Sequence, residues 1–368
     1  MATMVEPPLS ARPARPAVAP PKKKLVRRTD RDYSQPMRHL FQGIFLALNV
    51  YLGTLFYLWV RQFEGGHRLV GTRPPGVEGW LPIGGMMNFK YWLLTGDVPA
   101  VHPAAMFLLV TFVATAFLFR KAFCSWLCPV GTVSEMLAQL GRKIFRRNFV
   151  ITKWVDVPLR GLKYLLLGFF VWAVYSMSAQ ALAGFMRSPY GLIADVKMLN
   201  FFRHLDETGF IVIGILVIGS ILVKNFWCRY LCPYGALMGF ASLLSPLHIL
   251  RTPSACIDCG KCHKACPANL PVDKLVTIKS AESTVCMECV AACPAEGALG
   301  MHLPKVVRRK PVPTWAVAAG IAVVFCGIVG YAKVTRHWST YIPDHVYRVL
   351  VPNAEQVSHP MPGDEALK

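Results

Sequence analysis

The chain is poor in charged residues, and acidic residues are the scarcest. Of its 368 residues only 20 are Asp or Glu, against 40 Lys or Arg, and charged residues make up 16% of the chain. With 54% hydrophobic residues, this composition excludes a disordered or highly charged soluble protein. The basic residues fall between apolar segments, which is typical of membrane-protein loops and not of a nucleic-acid binder.

Two other features are missing. Histidines suited to a b-type haem are not evident, because only His39 and His248 could lie near one membrane face and no pair falls at matching depth on two spans. The first 38 residues contain no apolar run, so we expect no cleavable signal peptide. This Pro-, Ala- and Lys/Arg-rich segment is predicted to be a disordered basic cytoplasmic tail.

The apolar segments predict a multi-pass membrane protein. Five windows approach the ~20 residues that cross a bilayer: Leu40–Val60, Pro103–Leu118, Leu162–Leu182, Phe210–Phe226 and Trp315–Tyr331. With the N-terminus inside, the three inner segments carry 29 of the 40 Lys and Arg residues, which fits the positive-inside rule. The inner membrane of a bacterium is the expected location.

Between the fourth and fifth apolar windows lies a run of closely spaced cysteines of the type found in bacterial ferredoxins. The predicted fold class is therefore an α-helical integral membrane protein of about five transmembrane helices with an inserted small α+β ferredoxin domain. The predicted segments are a tail (1–38), a four-span membrane domain (39–250), a cytoplasmic ferredoxin domain (251–305), a fifth span (306–333) and a short extracytoplasmic tail (334–368).

Seven of the twelve cysteines form one run of the C-x-x-C-x-x-C-x-x-x-C-P type followed by a near repeat. They are Cys256, Cys259, Cys262, Cys266, Cys286, Cys289 and Cys293. A disulfide framework suits short secreted domains, and one zinc ion uses fewer ligands than this run offers. The spacing is typical of a bacterial ferredoxin with two [4Fe-4S] clusters.

Cross-ligation assigns these cysteines to two clusters. The first takes Cys256, Cys259, Cys262 and Cys293, and the second takes Cys266, Cys286 and Cys289. The position of the missing fourth ligand holds Ser283. The alternatives are ligation by serine, a [3Fe-4S] cluster, a ligand from elsewhere in the chain, or loss of this cluster.

A second cysteine pattern occurs twice. Cys124 and Cys128, and again Cys228 and Cys232, form C-x-x-x-C-P motifs separated by 104 residues, each after an apolar span. Two such copies indicate an internal repeat. We expect each pair to share one helix face, with proline ending or bending that helix, and we expect a surface helix over residues 234–250. The pairs could bind a further metal cluster, act as redox dithiols, or simply pack, as predicted for Cys326 in the last span.

Together the two motifs and the ferredoxin run resemble the membrane polyferredoxin family. This family includes the quinol dehydrogenase subunit of periplasmic nitrate reductase (NapH), the methylamine-utilisation ferredoxin MauN, the C-terminal half of the nitrous-oxide regulator NosR, and the oxidase-assembly protein CcoG. The resemblance covers about residues 40–301 and does not select a member.

The resemblance implies electron transfer through iron-sulfur clusters between the quinone pool, or a cytoplasmic donor, and a redox partner protein, as in NapH. A CcoG-like Cu(II) reductase is the runner-up, and a redox-sensing regulator is the third hypothesis. Residues near the outer interface that could serve a quinol site are His102, Glu78 and Arg73. Instead of binding quinol, each of them could anchor the chain at the membrane interface or contact a lipid head group.

Overall fold

The structure is a computed structural model, and it describes residues 26–29, 32–65, 71–147, 149–304 and 310–360. Its described part is mostly helical, with one small sheet. In chain order, α1 to α16 are Ser34–Glu64, Pro82–Thr95, Pro103–Phe119, Ala122–Trp126, Pro129–Phe145, Lys153–Ser176, Ala179–Arg187, Pro189–Leu192, Ala194–Arg203, Glu207–Leu222, Phe226–Tyr230, Pro233–Leu243, Lys261–Ala265, Glu288–Ala291, Thr314–Val334 and Asp344–Leu350. Two 3₁₀-helices cover Pro75–Trp80 and Ala354–Gln356.

Three helices of the described part are long and apolar enough to cross a membrane, and they are α1, α6 and α15. The bent pair α9 and α10, with an angle of 80°, makes a fourth span if it counts as one. Three predicted windows thus fall on such helices, and the fourth falls on the bent pair. The second falls on α3, which has 17 residues and is flanked by His102 and Arg120, both with positive φ, a backbone conformation that cannot continue an α-helix. The predicted count of five spans is not confirmed.

Helix α3 lies at the centre of the membrane part. It is apolar all round and buried on nearly every side, packing against α2, α12 and α15. Such a helix belongs in a core and not at a surface. By contrast, α6 exposes large apolar side chains, among them Trp154, Leu165 and Trp172, as expected of a face in contact with lipid.

The ferredoxin segment contains a three-stranded antiparallel sheet in the order β2-β1-β3. The strands are β1 His248–Arg251, β2 Thr277–Ile278 and β3 Leu299–His302, and Ile249 pairs with both Ile278 and Met301. The expected helix over residues 234–250 is wrong in its second half, because α12 ends at Leu243 and residues 248–251 form a strand. Pro246 lies between them and disfavours helix at the preceding residue.

The end of the predicted N-terminal tail is structured in the described residues. The amide of Arg28 donates to the Pro294 carbonyl (3.0 Å), and the amide of Glu296 donates to the Val26 carbonyl (3.0 Å). Since these residues pair with the ferredoxin segment and α1 begins at Ser34, the predicted tail does not extend in disordered form to residue 38. Residues 1–25, 30–31, 305–309 and 361–368 lie outside the described residues.

Candidate iron-sulfur sites and the cavity beside them

The two C-x-x-x-C-P motifs have the same backbone structure. In each hairpin an apolar helix is followed by a five-residue helix that carries the first cysteine: Cys124 in α4 and Cys228 in α11. The second cysteine, Cys128 or Cys232, precedes the proline that opens the next helix. The short helix ends before the proline, as expected, but the expectation that both cysteines share one helix is wrong, because the second cysteine lies beyond its end. The proline starts the next helix, where its fixed φ and missing N–H are favourable.

This arrangement places the second cysteine of each motif at a helix N-terminus. The amide of Gly235 donates to the Sγ atom of Cys232 at 3.2 Å, and the amides of Val130 and Gly131 likewise face Cys128. Amides at a helix N-terminus stabilise negative charge. These amides partly offset the burial of both cysteines, which raises the pKa of their thiols.

The fold brings the four repeat cysteines together. Cys124, Cys128, Cys228 and Cys232, which we call the cysteine quartet, line one cavity of about 880 Å³. Electrostatic interactions connect Cys228 with each of the other three. Burial raises the pKa of the Cys124 thiol to about 11 and that of Cys128 to about 12. Free dithiol exchange, which needs a thiolate, is disfavoured at these positions.

The quartet does not have the geometry of a zinc site. Within the described ranges, no three His, Cys, Asp or Glu side chains come close enough to hold a single metal ion. A four-iron cluster is a larger body than one ion, so its thiolate ligands stand further apart. Four cysteines around a hollow fit a cluster better than a tetrahedral ion.

The cysteines of the ferredoxin segment lie in two neighbouring sets, which are joined by one electrostatic interaction, between Cys262 and Cys289. Cys293 interacts electrostatically with Cys256 and Cys259, and Cys262 interacts with Cys256 and Cys293. The second group, Cys266, Cys286 and Cys289, lines a separate small cavity. The residues present therefore fit two clusters, which would supply one-electron carriers when bound.

Ser283 lies with the second group. It is 6% exposed and lines the same small cavity as the three cysteines. A serine oxygen is therefore available on the side where the fourth thiolate is missing. No quartet cysteine lines this cavity, and the choice among serine ligation, a [3Fe-4S] cluster and loss of the cluster stays a prediction.

Cys286 connects the two regions, because it lines both the small cavity and the quartet cavity. The ferredoxin segment is fixed to the first hairpin here: the indole N–H of Trp126 donates to the Val285 carbonyl (3.2 Å), and Ser125 donates to the Thr284 carbonyl. The fully buried Lys163 of α6 pairs with Glu282 at 2.6 Å. The second cluster site and the quartet are thus held as neighbours.

The quartet cavity continues along the membrane part. On α1 its lining extends from Arg38 to Leu52, which corresponds to about 21 Å of helix. Most of the other lining residues are apolar, and at the far end they include Trp80 and Ile83, which are partly exposed at the surface. The cavity is therefore long and mainly apolar, and at its far end it is bordered by residues that are exposed at the protein surface.

The three residues proposed for an outer quinol site lie outside the quartet cavity, and they form hydrogen bonds and ion pairs with one another. The Glu78 carboxylate accepts hydrogen bonds from Arg73 (2.7 Å) and Thr340 (2.7 Å), and it lies 3.2 Å from Nδ1 of His102. Arg73 also pairs with Asp195 at 2.6 Å. None of these five residues, which we call the outer ionic network, lines the quartet cavity.

Charges within this network strongly favour its ionised form. Although burial alone acts in the opposite direction, Arg73 and the hydrogen bond with His102 lower the pKa of Glu78 to about 2. Asp195 and Glu78 raise the pKa of Arg73. The network ties together the 3₁₀-helix at Pro75–Trp80, the start of α3 and the segment after α15.

Sequence reasoning missed two polar residues at the quartet. Lys121 and Asn225 each lie three residues before the first cysteine of a motif, and both line the cavity. The 104-residue repeat could have identified them as equivalent positions.

Cys326, predicted to pack, is instead exposed on α15.

Comparisons with known proteins agree with these sites. A family model described as a 4Fe-4S binding domain matches residues 101–148 and 205–249, which are the two C-x-x-x-C-P hairpins. The chain is 47% identical over 326 residues to the putative electron transport protein YccM of Escherichia coli (strain K12), covering 88% of this chain and 91% of that protein. No solved structure matches the chain.

Two more distant relatives carry ferredoxin-type names. The ferredoxin-type protein NapH of Escherichia coli (strain K12) is 24% identical over 270 residues, covering 70% of this chain and 85% of that protein. The methylamine utilization ferredoxin-type protein MauN of Methylorubrum extorquens is 26% identical over 194 residues, covering 52% of this chain and 62% of that protein.

Fold, cysteine groups and relatives define the class: an iron-sulfur electron-transfer protein of a bacterial membrane. Within that class, the chain belongs to the membrane polyferredoxin family, to which the YccM, NapH and MauN proteins are similar.

Proposed function

We propose that the chain relays electrons between the membrane quinone pool and a redox partner protein, in the manner expected of a NapH-like subunit. Three cluster sites would form the relay: the exposed site of Cys259, the buried site of Cys286, and the cysteine quartet. The observation that carries the proposal is that Cys286 lines both the second cluster site and the quartet cavity.

The cavity supports a quinone as the membrane reactant. Its length of about 21 Å along α1 and its apolar lining suit an isoprenoid quinone, and it covers much of the ~30 Å of hydrocarbon that separates the two faces. Oxidation of one quinol releases two electrons and two protons, and each electron reduces one cluster. The distribution of Lys and Arg supports placing the clusters on the cytoplasmic side.

Iron content tests whether the quartet binds a cluster. On anaerobically purified protein, two cubane clusters give about eight irons, and a third adds about four. Changing Cys124, Cys128, Cys228 and Cys232 together to Ser should remove the additional iron and one signal in low-temperature EPR. If the variant retains all the iron and every signal of the wild type, the quartet holds no cluster.

Cavity blocking tests the quinone. Ile83→Trp fills the cavity where it reaches the surface, and Leu165→Trp, on the exposed face of α6, is the matched control. We expect Ile83→Trp to slow cluster reduction by a short-chain quinol severalfold, with reduction by dithionite unchanged in both variants. Equal rates in the two variants contradict the quinone site. Quinone-independent turnover of Cu(II) would assign the copper-reductase function instead.

A further inference from the structure

The two halves of the repeat differ in charge at one position beside the quartet. Lys121 is the N-terminal flanking residue of α4, and Asn225 is that of α11, with the same 104-residue separation as the cysteines. Both side chains line the quartet cavity. An otherwise matched pair of hairpins therefore presents an ammonium group from one half and a neutral amide from the other.

The described residues do not fully satisfy either group. Lys121 is 3% exposed, and no described residue forms a hydrogen bond or close ion pair with it. The acidic group that it influences most, the Glu282 carboxylate, is already paired with Lys163 at 2.6 Å, so two buried cations share one carboxylate. The Asn225 Oδ1 atom is buried without a hydrogen bond. Burying an uncompensated charge costs several kcal/mol, so an anionic group in the cavity is expected to face Lys121.

Electrostatics identify where that anion lies. The charge of Lys121 acts on the thiols of Cys124, Cys228 and Cys232, which come from both halves of the repeat. A four-iron cluster with four thiolate ligands is negatively charged, and reduction adds one more negative charge. A fixed cation beside the cluster therefore stabilises the reduced form more than the oxidised form. Net charge is one of the factors that set a cluster's reduction potential.

We propose that Lys121 is the counter-cation of a quartet-bound cluster and raises its reduction potential, and that Asn225 is the neutral residue at the equivalent position of the second half. The inference rests on the proposed function, because it needs a cluster at the quartet. Lys121 is a positioning residue in this scheme, acting on the cluster through its charge and forming no bond to iron.

Redox titration of the quartet's EPR signal tests the inference. Lys121→Met should keep the iron content and move the midpoint potential to more negative values. Lys121→Arg, which keeps the charge, should restore a midpoint close to that of the wild type. Asn225→Lys is the matched reverse change and should move the midpoint to more positive values, because it adds a second cation from the opposite half.

The outcomes separate the two proposals. A wild-type protein without a quartet signal overturns the proposed cluster and this inference with it. A quartet signal whose midpoint is the same in wild type, Lys121→Met and Asn225→Lys overturns the inference alone. If Lys121→Met loses the quartet iron, the double variant with Asn225→Lys decides: recovery of the iron supports a required cation, and continued loss contradicts it.

Discussion

The outer ionic network and the quartet cavity both bury charged groups, but they treat them differently. In the outer network, Glu78 receives hydrogen bonds from several sides and Arg73 is paired with two carboxylates. At the quartet, the Asn225 Oδ1 atom faces the cavity without a described hydrogen-bond partner, and Lys121 shares the Glu282 carboxylate with Lys163. Buried charges that satisfy one another hold elements together, whereas buried polar groups aimed into a cavity indicate a ligand.

Sequence alone left the role of the outer residues open between a quinol site and an interface anchor or lipid contact. His102, Glu78 and Arg73 carry the chemistry of a quinol site, and nothing in their spacing revealed that they bind one another. Lys121 looked like one more basic residue near a membrane face. The function of a reactive side chain therefore depends on the residues that contact it in the folded protein.

The largest expected effect is on stability, from Glu78→Ala. Removing this carboxylate leaves the Arg73 guanidinium buried with one fewer counter-charge, which costs roughly 3–5 kcal/mol. Thermal unfolding in detergent should show the loss. The matched control is Glu64→Ala, which breaks a more exposed pair with Arg203 and should cost less than about 1 kcal/mol. Unchanged stability together with lost quinol oxidation would return Glu78 to the quinol site.

The same network should make the protein sensitive to acid. The pKa of Glu78 is about 2 in the folded protein, below its usual value of 4.5, so its contribution is fully present above pH 4.5 and is lost as pH falls towards 2. The shift corresponds to about 3 kcal/mol. We expect the unfolding temperature of the wild type to fall more steeply through this interval than that of Glu78→Gln. If the unfolding temperatures of the two proteins fall in parallel with pH, the network does not lower the pKa of Glu78.

Next in size is a contrast between two equivalent glycines of the repeat. A Cβ atom at Gly131 would lie 2.3 Å from the Cys124 carbonyl oxygen, whereas at Gly235 it would lie 3.6 Å from the Cys228 carbonyl oxygen. Gly131→Ala must therefore displace the backbone of the first motif, and we expect this to lower the free energy of unfolding by about 1–3 kcal/mol. We expect it to lower the quartet iron content, with Gly235→Ala close to wild type. Equal iron in both variants would mean that the first motif tolerates the shift.

The smallest effect on stability is expected at Ser283, where the readout is spectroscopic. Ser283→Cys supplies the thiolate that the second ferredoxin site lacks, and it should convert a serine-ligated or three-iron cluster into an ordinary [4Fe-4S] cluster. Low-temperature EPR of the wild type, Ser283→Cys and Ser283→Ala checks this. Identical spectra in all three proteins would show that residue 283 does not face the cluster.

Much of the chemistry was readable from local spacing. The run from Cys256 to Cys293 indicates two cluster sites, and the cross-ligation of these cysteines stays a prediction. The repeat of Cys124 and Cys228 was also visible. Local reasoning was incomplete at the motif prolines: a short helix ends before each of them, as predicted, but Pro129 and Pro233 also begin the next helix.

The sequence by itself determined the class of protein, because cluster ligation depends on cysteines a few residues apart and membrane insertion depends on continuous apolar segments. Only the tertiary structure decided which distant groups meet. It joined two cysteine pairs 104 residues apart into one quartet, placed Cys286 on both cavities, and enclosed Glu78 among its partners. Contacts of this kind depend on how helices pack, and packing is a property of the whole chain.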